Sequence, residues 1–381
     1  MRYQLRAVAA ALAVASPCLA ATGCWNAIPI GHRALIQIVT VDAAKHANTL
    51  WTFFQANPTA LASMGSGVGA GPGGGTASDQ VLPLAVVAPT LGAAYRRAQE
   101  MTSRDLYLGQ LQQIVLSESL GPAAVRAALD AFAHTPELDQ SQALFAAPGS
   151  AANTILARDP QELFPAAYLD HVTACPTCNT TAIHLSLMDA FLATRTAWGA
   201  MIMPEVTTSR LGLAVSGAAV YEGARLVSRA SPDDTALLGL ITGQTVKTSL
   251  ETTVPGLGTV SVRSLRGTVH LRARWRDGLV EAAAVSHVTG QLVGLEPDRG
   301  LRFERDAPII DQAVSSALVQ RVGGVVARIM AAGGDPLDLG RALWAGDPSA
   351  APSPAAWRYG LSHGHVQITV HTAITSQGVV R

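Results

Sequence analysis

The sequence predicts an α+β protein: several packed mixed α/β domains whose sheets are rich in antiparallel pairs. Three observations carry this. Residues 34–160 alternate strand-like and helix-like stretches, the pattern of a mixed sheet with helices laid on it. The C-terminal half is dominated by β-branched alternating runs that reverse at short glycine-containing pairs. Hydrophobic residues make up 49% of the 381 and charged residues only 14%, enough apolar surface to fill real cores.

The elements follow in order. Ala34 to Val41 is β-branched and partly alternating, hence a strand. Residues 65–75 are nearly all glycine and other small residues. Their Gly69, Gly71 and Gly74 match a Gly-x-Gly-x-x-Gly pattern. No strand leads in, Pro72 interrupts it and no amphipathic helix follows, so it reads as a flexible loop and not a nucleotide fingerprint. Thr90 caps a helix to Met101, and Leu106 to Leu116 reads as a strand. Pro122, in the favoured first-turn position, opens a helix to Phe132. Gln142 to Ala147 is a short strand, and Ser150 caps a helix to Ala157. Residues 184–199 read as helical, with Met201 to Pro204 as an exit.

Leu211 to Ser216 restarts the strand pattern, and Ala219 to Val227 reads as a hairpin turning at Glu222-Gly223. A capped helix runs from Pro232 to Leu240 behind Ser231. Thr259 to Trp275 alternates, and Asp277-Gly278 turns it into a second strand, Leu279 to His287. Asp306 to Met330 is the longest helix, with Ile309, Ile310, Val314, Leu318 and Val322 on one face. A short helix at Leu337 to Trp344 and a strand from Val366 to Ala373 follow.

The N-terminus carries the sharpest chemistry. Arg2 and Arg6 precede an apolar run, Ala7 to Ala15, and small residues lead on to Ala21-Thr22-Gly23-Cys24. That is the layout of an export signal. A cysteine directly after Thr-Gly makes it a lipoprotein signal: residues 1–23 are cut away and the Cys24 thiol carries diacylglycerol. Each buried acyl methylene contributes roughly 0.8 kcal/mol, so several chains give a stable anchor. The competing reading is an ordinary secretory peptide cut after Ala20 or Ala21. A retained spanning helix needs roughly 20 apolar residues, more than this run supplies, and no later segment reads as long and apolar enough.

Net charge is zero, and lysine and arginine are scattered among balancing acids. Nothing here argues for nucleic acid, and attachment to a membrane is expected from lipid alone. With Cys18 in the removed peptide and Cys24 the lipid site, Cys175 and Cys178 remain as a Cys-Pro-Thr-Cys pair between His171 and His184. The readings are a local disulfide in an exported protein, a redox dithiol, or a metal site. No second close Cys/His pair completes a zinc set, so no metal is expected. No Gly-x-Ser-x-Gly elbow, His-Glu-x-x-His motif or Walker loop is present, so no catalytic residue and no cofactor are assigned. His365 and His371, six apart on a strand, stand about 20 Å apart and cannot share one ion. Asp233-Asp234 and Asp335 with Asp338 read as helix-start acids.

Several segments together resemble one family, the C-subunit lipoproteins of bacterial spore germinant receptors, Ger(x)C. These are Thr22-Gly-Cys-Trp25, Arg104 to Glu118, Gly212 to Val227 with the Asp233-Asp234 helix, Asp335 to Trp344 followed by Trp357, and the strand Val366 to Ile374. They run through nearly the whole chain in order. Gln110 stands where that family commonly has histidine, and neither the glycine-rich run nor the Cys-Pro-Thr-Cys pair belongs to its pattern. The resemblance implies a lipid-anchored, non-catalytic subunit on the outer face of the spore inner membrane. It would work in assembly and signalling beside A- and B-type membrane subunits that respond to small nutrients. It also implies a division into an N-terminal region, 24–205, and a C-terminal one, 206–381. The alternative is a solute-binding lipoprotein of a transporter, which requires two similar α/β lobes around a cleft.

Overall fold

Two sheets organise the chain. The computed structural model describes residues 28–46, 48–57, 81–157, 162, 164–174, 183–196, 198–244, 248–296, 302–349 and 352–376. Cys24, Cys175, Cys178 and the glycine-rich run at 65–75 lie outside the described residues.

The first sheet is formed by β1 (Arg33–Ala43), β2 (Thr49–Ala56), β3 (Val81–Ala88), β4 (Asp105–Tyr107), β5 (Gln113–Ser117), β6 (Ala143–Ala147), β7 (Ala200–Ser209), β8 (Gly212–Glu222) and β9 (Arg225–Ala230). Their spatial order is β3-β2-β1-β5-β6-β7-β8-β9, with β4 beside β1. The β1–β5, β5–β6 and β6–β7 junctions are parallel, and both wings are antiparallel. Helices α1 (Leu91–Gln99), α2 (Pro122–Ala133), α3 (Ala151–Ile155), α4 (Pro165–Ala174) and α5 (Leu187–Arg195) cover it. α1, α2 and α5 pack on one face over Ile114, Leu116, Leu144 and Ala146. α3 and α4 pack on the other over Ile38, Val115, Phe145 and Ala147. Central strands buried on both faces read as continuous apolar runs, as β5 and β6 do.

Sequence expectation and structure part at definable places. The single strand expected over Leu106 to Leu116 is broken by a turn, where the Leu111 N–H donates to the Leu108 carbonyl at 2.8 Å. Its two ends become β4 and β5, both parallel to β1. Met201 to Pro204 is the first half of β7, not an exit; Pro204 stands opposite Ala218 beside a register shift to β8, the kind of irregularity at which a strand tolerates proline. The separate strand and hairpin expected over 211–227 are one long strand, β8, returning as β9. Gly217 lets β8 bend: its φ is +85°, and a Cβ there would lie 2.5 Å from the Ala230 carbonyl oxygen. β2, β3 and α4 were not expected.

The second sheet has the order β10 (Thr248–Val254), β11 (Gly258–Arg276), β12 (Leu279–Glu296), β13 (His365–Ser376). β13 alone runs parallel to its neighbour. Asp277 and Gly278 turn β11 into β12 with φ of 50° and 80°, the mirror-image turn their sequence implies. Helices α6 (Pro232–Ile241), α7 (Phe303–Ala331), α8 (Leu339–Gly346) and α9 (Pro354–Ser362) pack on one face of this sheet. At the start of α6 the expected cap is present: Ser231 accepts from the Asp234 N–H, and Asp234 accepts from the Ser231 N–H.

α7 buries Ile310, Val314, Leu318, Val322, Val326 and Ile329 against the sheet. Ile309, expected on that stripe, is 39% exposed, one position round the helix. Contrary to expectation, α7 is long and apolar enough to cross a membrane, with an 18-residue window of mean hydropathy 1.2. Its apolar stripe is taken up by the core. The two halves are a sheet covered on both faces and a sheet covered on one, not the paired similar lobes that a solute-binding protein requires.

Candidate functional site: the cleft over the Asp335–Trp344 segment

The segment from Asp335 to Trp344 lines a cleft where the two halves meet. Asp335 is buried and builds the entry to α8. Its Oδ1 accepts from the Leu337 N–H at 3.3 Å, and its Oδ2 accepts from the Gly340 N–H at 2.9 Å. This is the helix-start role its sequence position suggests. Burial pushes its carboxyl up to about 6, against the pull of those N–H groups. Asp338 behaves differently. It makes no capping bond, takes a left-handed φ of 57° and meets Arg341 Nε at 2.7 Å. Burial raises its carboxyl pKa above the usual value, with Arg341 opposing.

Arg341 reaches across the cleft, with Nη2 3.8 Å from Oδ1 of Asp189 on α5. Gly340 lies flush against the other half: a Cβ there would stand 2.7 Å from both Cδ1 and the carbonyl oxygen of Trp198. Two adjoining recesses share Asp189, Ala200, Asp338 and Arg341. The inner one, about 330 Å³, is lined by Ile183, His184, Leu271 and Asp335. The outer one, about 530 Å³, is walled by Leu192, Trp198 and Trp344. Leu192 is 47% and Trp344 54% exposed, so its rim is apolar and open. Chemically the cleft offers the Arg341 guanidinium, the carboxylates of Asp189, Asp335 and Asp338, and an aromatic wall. That composition suits docking of a polypeptide or small polar molecule.

A second polar centre, with buried carboxylates beneath an exposed arginine, is formed by residues on β7, β8 and β9 and at the end of β5. The Arg229 guanidinium donates to Glu118 Oε2, through Nε at 2.8 Å and through Nη2, and its Nε is 3.6 Å from Glu205 Oε1. Glu205 is 7% exposed. Burial, a hydrogen bond to Glu118 and the Glu118 charge push its carboxyl up to about 7. Tyr221, buried beside them, is raised by the same desolvation.

Of the residues singled out in the sequence, Cys24, Cys175 and Cys178 lie outside the described residues. His171 accompanies Glu162 at 2.7 Å, while Ile183 and His184, which follow the cysteine pair, line the inner recess. His371 stacks on His287 of β12, ring centroids 5.1 Å apart, and not on His365. Among the described residues no group of three or more His, Cys, Asp or Glu is placed to hold a metal. Nothing local in the sequence links Asp189 and Trp198 to Arg341, which lies in the Asp335–Trp344 segment, because only the fold brings α5 to a helix far along the chain.

Two family models divide the chain between them. The spore germination protein N-terminal domain matches residues 26–208. The spore germination B3/GerAC-like C-terminal domain matches residues 216–378, which include the whole Asp335–Trp344 wall of the cleft. The chain belongs to the GerAC-like family of spore germination proteins. No curated protein matches it. Among solved structures it is similar to the crystal structure of the GerBC protein, with a TM-score of 0.53 and 15% identity. That match covers 88% of this chain and 96% of GerBC. At that identity the likeness speaks for the fold, and it extends through both halves of this family member.

Proposed function

We propose that this chain is the C-subunit of a nutrient germinant receptor, a non-catalytic lipoprotein that assembles and signals with A- and B-type membrane subunits. The observation that carries the reading is the pair of spore germination family matches, which together span both halves in order. In this reading residues 1–23 are a signal peptide and Cys24 bears the lipid (diacylglycerol and palmitate). The regions 24–205 and 206–381 then stand on the outer face of the spore inner membrane. Cys175 and Cys178 form a local disulfide in this oxidising location. The apolar, aromatic rim of the cleft is the surface offered to a partner subunit.

The test is nutrient-triggered germination of spores carrying Cys24→Ala in the native gene, beside a gene deletion. Both are expected to lose the response to one germinant class. A deletion strain that germinates normally with every nutrient, in a background without other receptors, would overturn the reading.

A further inference from the structure

Among the described residues the sheet β10–β13 is covered on one face and bare on the other, and the bare face is basic. Strand alternation sends Val269, Leu271, Ala273 and Trp275 of β11 into the core. It sends Arg266, His270, Arg272 and Arg274 outward, all exposed. Arg263, beyond a register shift and opposite Gln291, extends the row. Across the ladder Thr268 stands opposite His287, and His287 opposite His371; Arg272 stands opposite Ala283, and Ala283 opposite Gln367. From Arg263 to Arg274 on β11, and along the residues paired to them, the one acidic side chain is Glu281, exposed and opposite Arg274 at the end of the row.

Pairing separates these arginines from most others. Arg195, Arg229, Arg305, Arg328, Arg341 and Arg358 each hold a carboxylate within 4 Å. Among the described residues none of Arg263, Arg266, Arg272 and Arg274 is in an ion pair. Successive outward residues on a strand stand about 7 Å apart, so the row is a line of exposed guanidinium forks with no ion-pair partner among the described residues. A guanidinium fork grips phosphate through two parallel N–H bonds. An extended, nearly acid-free row of them matches a flat field of phosphates better than one compact anion.

We propose that this face lies on an anionic phospholipid surface, as an electrostatic contact additional to the acyl anchor. It rests on the reading of a membrane-tethered chain: the acyl chains already hold the protein at the bilayer, and a basic surface attracted to anionic headgroups selects which face lies against it. The tether supplies proximity and the arginine row supplies orientation, turning the covered face and its helices away from the membrane.

The test uses residues 25–381, which contain every described element and lack the acylated residue, in co-sedimentation with vesicles. Phosphatidylglycerol–phosphatidylcholine vesicles are expected to bind the protein, pure phosphatidylcholine vesicles are not, and salt is expected to weaken binding. Each arginine removed from the row should weaken partitioning about fivefold, so Arg272→Gln with Arg274→Gln should cost on the order of 25-fold. Arg126→Gln with Arg210→Gln, the same change in net charge on exposed residues elsewhere, should leave binding nearly unchanged. Equal loss in the two double variants would mean that net charge acts and the face does not, and would overturn the proposal. So would binding to poly-glutamate but not to vesicles with the same dependence on Arg272 and Arg274, which would make the face a protein-docking surface. Palmitate labelling of wild type against Cys24→Ala tests the anchor separately. Labelling without vesicle binding sinks the face alone, and vesicle binding without labelling sinks the anchor alone.

Discussion

Glu205→Gln should stabilise the protein above neutral pH and leave it nearly unchanged in mild acid. The Glu205 carboxyl is held at about 7 in the folded chain against 4.5 as its ordinary value. A folded-state pKa raised in this way means that the native protein binds the proton more tightly than the unfolded chain does. The contribution of this group is therefore complete below about pH 4.5 and lost as pH rises through about 7. A shift of this size corresponds to about 3 kcal/mol as a ceiling. The attraction of Arg229 for the ionised form reduces it, so about 1–3 kcal/mol is expected. The substituted amide imitates the protonated acid, with an N–H to donate toward Glu118 where the carboxyl proton stood. The assay is urea unfolding of wild type and variant at about pH 4 and about pH 8. Asp335, also raised, titrates in both proteins and cancels in the difference. The variant should match wild type at the lower pH and exceed it at the higher. A gain of equal size at both, or a loss that grows with pH, would refute the assignment of a neutral buried carboxyl.

Two further outcomes follow from packing. Gly340→Ala drives a Cβ into Trp198 at 2.7 Å from both a ring carbon and a backbone oxygen, and should cost about 1–3 kcal/mol, read as a lowered Tm. On α7, Leu318→Ala removes a side chain with no exposure and should cost about 2–5 kcal/mol in urea unfolding, whereas Ile309→Ala, 39% exposed, should cost well under half as much. Equal costs would contradict the observed rotation of the helix.

Local signals were legible in the sequence and long-range ones were not. The Ser231 cap, the Asp277-Gly278 turn, the α7 stripe and the helix-start role of Asp335 depend on neighbours within a few residues, and each has its chemical cue there. β2 and β3 had no such cue: β2 is buried nearly throughout, so it lacks alternation, and β3 contains a proline. The cleft was half legible. The Asp335–Trp344 wall stood out as a segment, but its opposite wall on α5 is brought to it only by the fold. The basic face shows another limit. A net charge of zero is a sum over the chain, and it hides the fact that many acids pair with arginines elsewhere. The alternation of arginine and histidine with apolar residues from His270 to Arg274 was present in the sequence. It becomes a charged surface only once one side of β11 is known to be covered and the other bare.

The two halves share a wall. On β8, Ala219 and Tyr221 face the core under α1, α2 and α5, while Ala218 and Val220 face the core with Val280, Val322 and Trp357. The first family model ends at residue 208, in the last residues of β7, and the second begins at residue 216, inside β8, and those strands are paired along their length. A chain cut after residue 205 would be cut inside β7, leaving two open strand edges and exposing Val220 and Ala218 from one core or Tyr221 from the other. The units matched as separate sequence families are therefore joined into one hydrogen-bonded sheet, and Arg341 closes the same joint from the other side through Asp189. A partner bound at the apolar rim of the cleft would touch α5 and α8 at once, residues from both halves beside the wall they share. That geometry allows contact at a single surface to be felt by both cores, without a hinge between them.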